Sequence, residues 1–279
     1  MTFDYNLCVL FLYHKCDKLT KYHLESLRKS NPTAFVLPLT DSVPELLPGS
    51  VDVARVPRFC DDAQKWRGID ATLYRWFANR TFNARQYLVT EYDCLCNVNL
   101  EDYYAEVMNA DIAGVDFFTQ ETNPRWKWFL NEEINNLPRE DKLYAAGITP
   151  FTCTMFSHAA LEKIVPNVYR HDIFSEMRLG TTVNKLGLKF QRIPCLKRST
   201  LCWHEYPWQI NRPGFFHAVK SLDHNRGKSR QPGNAAARVY DFLRSSNHDR
   251  EMLPFFLQGK RHGLIKRLRL VGVRAGSKP

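Results

Sequence analysis

A chain of 279 residues with 44% hydrophobic and 13% aromatic content can bury a sizeable core. This excludes a disordered or fibrous chain and points to one large α/β domain or a core domain with a tail. The formal net charge of +10 and the pI of about 9.2 ask for an anionic partner: a nucleotide, a nucleic acid or a charged membrane surface.

The first eighteen residues, MTFDYNLCVLFLYHKCDK, carry Asp4 ahead of a short apolar run. They lack the basic start and small-residue cleavage site of a signal peptide, and they fall short of the ~20 apolar residues of a spanning helix. They are expected to be the first core strand, at residues 7–13. A helix over 18–29 follows, from the spacing of Leu19, Tyr22, Leu24 and Leu27, then a strand over 34–39 that runs into the turn-forming Thr40-Asp41-Ser42. A short strand is expected over 51–56, and a helix over 61–82 from an apolar stripe of Trp66, Ile69, Leu73, Phe77 and Phe82. The next strand, QYLVTEYDCLC over 86–96, completes a strand–helix–strand pattern that predicts a mostly parallel sheet with right-handed crossovers. Ligands of such sheets collect beyond the carboxyl ends of the strands, so the loops after Tyr13, Leu39 and Val89 should share a crevice.

In the second half, a helix capped by Asn99 is expected over 100–109, a strand over 111–118, and a loop or short helix over 124–138. A strand over 151–156 should feed a helix over 159–164. A helix over 175–186, capped by Ser175 and ended by Gly187, should lead into a strand over 188–193. Residues 221–236 are polar and rich in Gly, Ser and charge, as a linker would be. A helix over about 237–243 and a basic tail with interleaved apolar residues follow. The eight cysteines contain no CxxC pair, so reduced, mostly buried thiols are expected, as in a cytosolic protein.

Within 86–96, Glu91 and Asp93 stand two residues apart. Side chains at i and i+2 of a strand share a face, so both could converge on one cation, with His217 of FFHAVK as a distant third donor. Glu176, in the first turn of its helix, is either a base facing the crevice or a residue held by the helix dipole. The aromatic run Trp203–Trp208, and Trp126 with Trp128, could stack on sugars or bases or complete the core. GxxxxGK[ST], GxGxxG, HExxH and GxSxG are all absent, which removes support for the common triphosphatase, dinucleotide and hydrolase readings.

In this order, four stretches resemble the motifs of GT-A glycosyltransferases, the metal-dependent users of nucleotide sugars. YLVTEYDCLC is similar to the strand ending in a DxD motif, with Glu91 for the first Asp. PFTCTMFSHAALEKI is similar to the acceptor-side loop and helix, with Thr152, Cys153 and Thr154 where glycine is common. SEMRLGTTVNKLGLKFQRIP resembles the xED helix and strand, placing Glu176 at the last acid and Ser175 where a Glu usually precedes it. FFHAVK resembles the C-terminal His motif. The resemblance implies a GT-A-like, Rossmann-type α/β fold over 1–220 with a nucleotide-sugar half (1–98) and an acceptor half (99–220), ahead of the basic linker and helical extension that composition places over 221–279. It implies Asp93, His217 and Glu91 around Mn²⁺ or Mg²⁺, and Glu176 as catalytic base toward the acceptor if the enzyme inverts configuration, or as a residue that positions acceptor or donor if it retains it. Tyr13, His14, Asp17, Asp41, Arg67, Asp70, Glu91 and Lys220 would contact the donor, a UDP-sugar before other nucleoside diphosphate sugars.

The expected reaction is sugar transfer to a hydroxyl. Positive charge beyond the tail favours a hydroxymethylated pyrimidine in DNA as acceptor, as in phage DNA-modifying enzymes, over a lipid-linked or surface glycan at the membrane. The location would be cytoplasmic or peripheral at the inner membrane surface. A nucleotidyltransferase and a non-catalytic nucleic-acid-binding module are the alternatives.

Overall fold

The computed structural model describes residues 2–41, 45–53, 68–130, 132–169, 173–196, 201 and 213–222. The chain divides into one compact unit, residues 1–203 with 212–220, and a second, residues 204–211 with 221–279. The second lies almost wholly outside the described residues, as do the basic tail, the helix expected over 237–243, the Trp203–Trp208 run and Arg67.

The first unit opens β1 (Tyr5–Leu12), α1 (Lys18–Ser30), β2 (Phe35–Thr40), β3 (Val51–Asp52), α2 (Ile69–Ala78) and β4 (Ala84–Glu91). It continues with β5 (Leu95–Cys96), α3 (Leu100–Tyr103), β6 (Ile112–Gly114), β7 (Asp116–Thr119), α4 (Lys127–Leu130), β8 (Ala146–Thr149) and β9 (Met155–Ser157), then α5 (His158–Asn167), α6 (Ser175–Lys185), β10 (Phe190–Arg192) and β11 (Phe215–Phe216). The central sheet has seven strands in the order β10-β6-β9-β4-β1-β2-β3, and two-stranded ribbons are formed by β5 with β11 and β7 with β8. All neighbours in the central sheet run parallel except β9, which is antiparallel to β4 and β6. The expected fold class, a mostly parallel sheet flanked by helices, is the one observed.

The alternation of side chains in β1 explains why the sheet needs two helical layers. Cys8, Leu10 and Leu12 enter one core with Leu73, Tyr74 and Phe77 of α2, Leu161 and Ile164 of α5, and Leu179 and Val183 of α6. Leu7, Val9 and Phe11 enter the other, with Leu24 and Leu27 of α1 and Phe215 of β11. A strand buried on both faces reads as a continuous apolar run because each face needs its own apolar set. The chain winds outward from β1 through β2 to β3 and returns to β4 on the other side of β1. The carboxyl ends of β1 and β4 therefore flank a topological switch point, where such sheets open a crevice.

Several expected elements are shorter or divided. The strand expected over 86–96 ends at Glu91, where the Cys94 amide bonds the Glu91 carbonyl across a turn and the Tyr92 amide bonds Leu12 at the end of β1. Leu95–Cys96 then joins a different sheet. The described part of the helix expected over 61–82 stops at Ala78, where the Asn79 side chain bonds the Arg75 carbonyl. The strand expected over 111–118 divides between β6 and β7, which belong to different sheets. The helix expected over 100–109 is one turn of α-helix followed by 3-10 helix, although Asn99 caps it as expected, accepting from the Asp102 amide. Ser175 does not cap α6: Phe174 is the N-cap residue, without a side-chain bond, and Ser175 is buried inside the first turn.

A satellite core of Phe118, Trp126, Trp128, Phe129, Leu137, Ile173 and Met177 lies beneath the segment that links β7 to β8. Trp126 and Trp128 are only 9% and 8% exposed, so they complete this core and offer no stacking platform. Cys8, Cys16, Cys94, Cys96, Cys153 and Cys195 are all free thiols.

Candidate functional site

The site is built on the turn after β4. Helix α1 holds this turn from one side: His23 Nδ1 lies 2.8 Å from the Tyr92 carbonyl, and Ser26 Oγ donates to the Cys96 carbonyl at 2.7 Å. Asn31 donates to the Val98 carbonyl and accepts from the Leu100 amide. From the other side, the antiparallel pairing of β11 with β5 sets Phe215 opposite Cys96 and Phe216 opposite Leu95. The Val219 amide continues the register by donating to the Asp93 carbonyl at 2.8 Å. A segment more than a hundred residues downstream is thereby fixed against the turn, which sequence spacing could not have shown.

This docking brings together three expected residues. Asp93 is 1% exposed. Its Oδ2 accepts from the Lys220 ammonium, and its Oδ1 faces His217 Nε2 at 3.5 Å. Among the described residues Oδ1 has no hydrogen-bond partner. A buried carboxylate oxygen without a donor is costly, and beside a side-chain nitrogen it suits a cation. Burial pushes the His217 imidazole below its ordinary value, toward the neutral form that ligates metals. Burial alone would also lower the Lys220 ammonium, but Asp93 and its neighbours raise it, so it stays charged. The residues present fit a divalent ion.

Glu91 closes β4 and is partly exposed. Burial, then the charge of Asp93 and more distantly that of Glu176, push its carboxyl up to about 8 against the pull of Lys220. Glu91 and Asp93 do approach one another, but through a turn and not from one face of a strand.

Glu176 reaches the same crevice from the first turn of α6. Its Oε1 accepts from Thr149 Oγ1 at 2.7 Å and from the Phe151 amide at 3.2 Å. The helix gets close enough because two glycines meet. A Cβ on Gly180 would stand 2.5 Å from the Gly147 Cα, and one on Gly147 would stand 2.3 Å from the Trp126 ring. In the loop where Thr152, Cys153 and Thr154 stand in place of glycine, Cys153 lies in the left-handed region, at φ 67°.

The other expected donor contacts are placed as follows. His14 is exposed and meets the Tyr92 ring edge-on, with centroids 4.4 Å apart. Tyr13 is buried, its hydroxyl bonded to Ser50 and the Leu47 amide. Asp17 caps α1 through the Thr20 amide and pairs with Lys15. Asp41 lies at the end of β2, 3.6 Å from Arg75. Asp70 does not join the crevice groups: it is wholly buried, 2.7 Å from Arg178. Residues not foreseen are Lys15, whose ammonium lies 4.9 Å from the Tyr92 ring centroid with that of Lys220 at 5.5 Å, and Thr149, which orients Glu176. A lysine just past β1 was the one available signal.

No protein-family model matches the chain, and no curated protein matches it by sequence. Among solved structures it is similar to a glucosyl-3-phosphoglycerate synthase from Mycobacterium tuberculosis in complex with Mn²⁺, UDP and glucosyl-3-phosphoglycerate, at 11% identity and TM-score 0.41, covering 68% of this chain and 69% of that one. It is also similar to mouse xyloside xylosyltransferase 1, at 11% identity and TM-score 0.38, covering 73% of this chain and 88% of that one. A third similar structure is an active-site mutant of LgtC, at 10% identity and TM-score 0.36, covering 72% of this chain and 76% of that one.

Proposed function

We propose that the chain is a glycosyltransferase of the GT-A kind that moves a sugar from a nucleoside diphosphate sugar, a UDP-sugar first, to a hydroxyl acceptor. The observation that carries this reading is Asp93, buried at the switch point with one oxygen on Lys220 and the other facing His217. Asp93 and His217 would hold Mn²⁺ or Mg²⁺, with Glu91 beside them. When bound, the ion neutralises charge developing on a departing diphosphate. Lys220 and Lys15 border the same place, so their ammonium groups would bind phosphate oxygens as the diphosphate separates. Glu91, beside the ion, would contact the donor's ribose or a bound water. His14 stands exposed at the mouth for the base or ribose. Arg67, outside the described residues, remains a proposed donor contact, as do Tyr13, Asp17 and Asp41.

Glu176 is fixed through one oxygen by Thr149 and the Phe151 amide and serves as the base that takes the acceptor's proton. General-base assistance is worth ~10²–10⁴-fold, so Glu176→Gln should lose activity on that order while donor binding persists. The net charge of +10 supports an anionic acceptor, with hydroxymethylated DNA proposed ahead of a membrane-associated glycan. A steep loss of duplex binding with added salt would mark the first, and cosedimentation with anionic liposomes the second. The deciding experiment is thermal-shift screening of UDP-, GDP- and CMP-sugars with and without Mn²⁺. Stabilisation by one of them that depends on the metal is expected, and none by any would refute the reading.

A further inference from the structure

We propose that Cys94 is a third ligand of the divalent ion, making the site a carboxylate–thiolate–imidazole set. The inference rests on the metal-site reading above and adds a residue that the DxD resemblance does not supply. A carboxylate oxygen of Asp93, the Cys94 Sγ and a ring nitrogen of His217 lie within 4.8 Å of one another. Cys94 follows Asp93 in the turn, and the pairing of Phe216 with Leu95 carries His217 toward Cys94 from β11. Asp93 uses Oδ2 for Lys220, while its fully buried Oδ1 has no hydrogen-bond donor among the described residues and faces His217. An ion bound by Oδ1 and His217 therefore leaves the Lys220 contact intact.

Cys94 itself is 2% exposed, and its Sγ lies 3.0 Å from Thr152 Oγ1. When the ion binds, the S–H proton passes to solvent and a metal–sulfur bond forms. Thr152 can then turn its hydroxyl to donate to the thiolate. A thiolate beside an imidazole and a carboxylate favours borderline, thiophilic dications such as Zn²⁺ and Co²⁺ over Mg²⁺, which takes oxygen ligands. A serine at this position would keep the shape of the turn and lose that preference.

The test is Co²⁺ at one equivalent with the full-length reduced protein, measuring bound metal by equilibrium dialysis and its absorption spectrum. The expected result is a thiolate-to-cobalt charge-transfer band in the near ultraviolet that disappears in Cys94→Ser while Co²⁺ still binds. Zn²⁺ affinity should fall in that variant by at least the roughly 10–100-fold that loss of an outer-shell partner costs, and Mn²⁺ affinity much less. Co²⁺ bound to the wild type without the band, or a band that survives Cys94→Ser, would overturn the ligand assignment and leave Asp93 and His217 standing as a metal site. Failure of the wild type to bind Co²⁺ would remove both. Should Cys94→Ser not fold, the wild-type spectrum and its loss in His217→Ala decide the question.

Discussion

Replacing Arg178 with Met tests how the two halves of the sheet's helical layer are joined. Arg178 in α6 is 1% exposed and Asp70 in α2 is wholly buried, with Nη1 to Oδ1 at 2.7 Å. Arg178 Nη2 also donates to the Ile173 carbonyl at 2.8 Å, just ahead of the helix that carries Glu176. Met fills much of the same volume, so the main effect is a buried carboxylate without its counter-ion, which costs about 3–5 kcal/mol. For a domain of this size each kcal/mol moves Tm by about 2–4 °C, so the variant should melt about 6–20 °C lower. Burial pushes the Asp70 carboxyl up and Arg178 pulls it down. Without Arg178 its folded-state pKa stays above the unfolded value, so the deficit should shrink as pH falls and the carboxyl takes up its proton. The double variant Asp70→Leu/Arg178→Met should recover most of the loss, because an apolar pair of similar volume is often neutral or better. Urea unfolding of the wild type, both single variants and the double variant at pH 7 and 5 closes the cycle. A loss below about 1 kcal/mol in Arg178→Met, or simple additivity in the double variant, would refute the reasoning.

Gly180→Ala should destabilise by about 1–3 kcal/mol or more, since its Cβ would stand 2.5 Å from the Gly147 Cα, where backbone must move; the same urea titration reads it. Because that movement pushes α6 away from β8, the variant should also lower turnover more than donor affinity. Asp17→Ala should cost about 0.5–2 kcal/mol through loss of the α1 cap. Partial burial would raise the Asp17 carboxyl, but Lys15 and the Thr20 amide and hydroxyl hold it at about 2. The ionised cap's contribution is therefore complete above the ordinary carboxylate pKa of ~3.9 and lost as pH falls through about 2, and acid unfolding curves of the two proteins should converge there. His217→Ala should abolish the metal dependence of nucleotide-sugar binding while leaving Tm in the absence of metal nearly unchanged. Gly187→Ala, at φ 62° just past α6 with nothing within 4 Å, should cost about 1–2 kcal/mol by backbone strain alone.

Much of the fold was legible because local pattern and tertiary environment agree in this chain. The apolar runs of β1 and β2 and the stripe of Leu19, Leu24 and Leu27 in α1 give nearly the observed elements, since each must bury those side chains wherever it lies. Errors gather where the chain changes sheets. β4 stops at Glu91 and β5 starts at Leu95, β6 stops at Gly114 and β7 starts at Asp116. Nothing local marks these breaks, because an apolar strand reads the same whichever partner it pairs with.

At the site, residue types were readable and partnerships were not. Asp93, His217, Lys220 and Glu176 could be singled out from short motifs, yet whether they meet depends on the β5–β11 ribbon and on the Gly147–Gly180 approach. Asp70, a promising acid at a helix start, is instead the counter-ion of Arg178, and the exposed or buried state of Trp126 and Trp128 waited on the satellite core. The amino-acid order by itself determined the α/β class, the placing of Glu91 and Asp93 toward the end of the strand that follows the second helix, and the excess of positive charge. Only the tertiary structure decided that Asp93 would keep one oxygen for Lys220 and one facing His217 beside Cys94. Those contacts join residues about 125 positions apart, and contacts of that range are set by which strands pair and how closely helices pack, not by the chain's local periodicity.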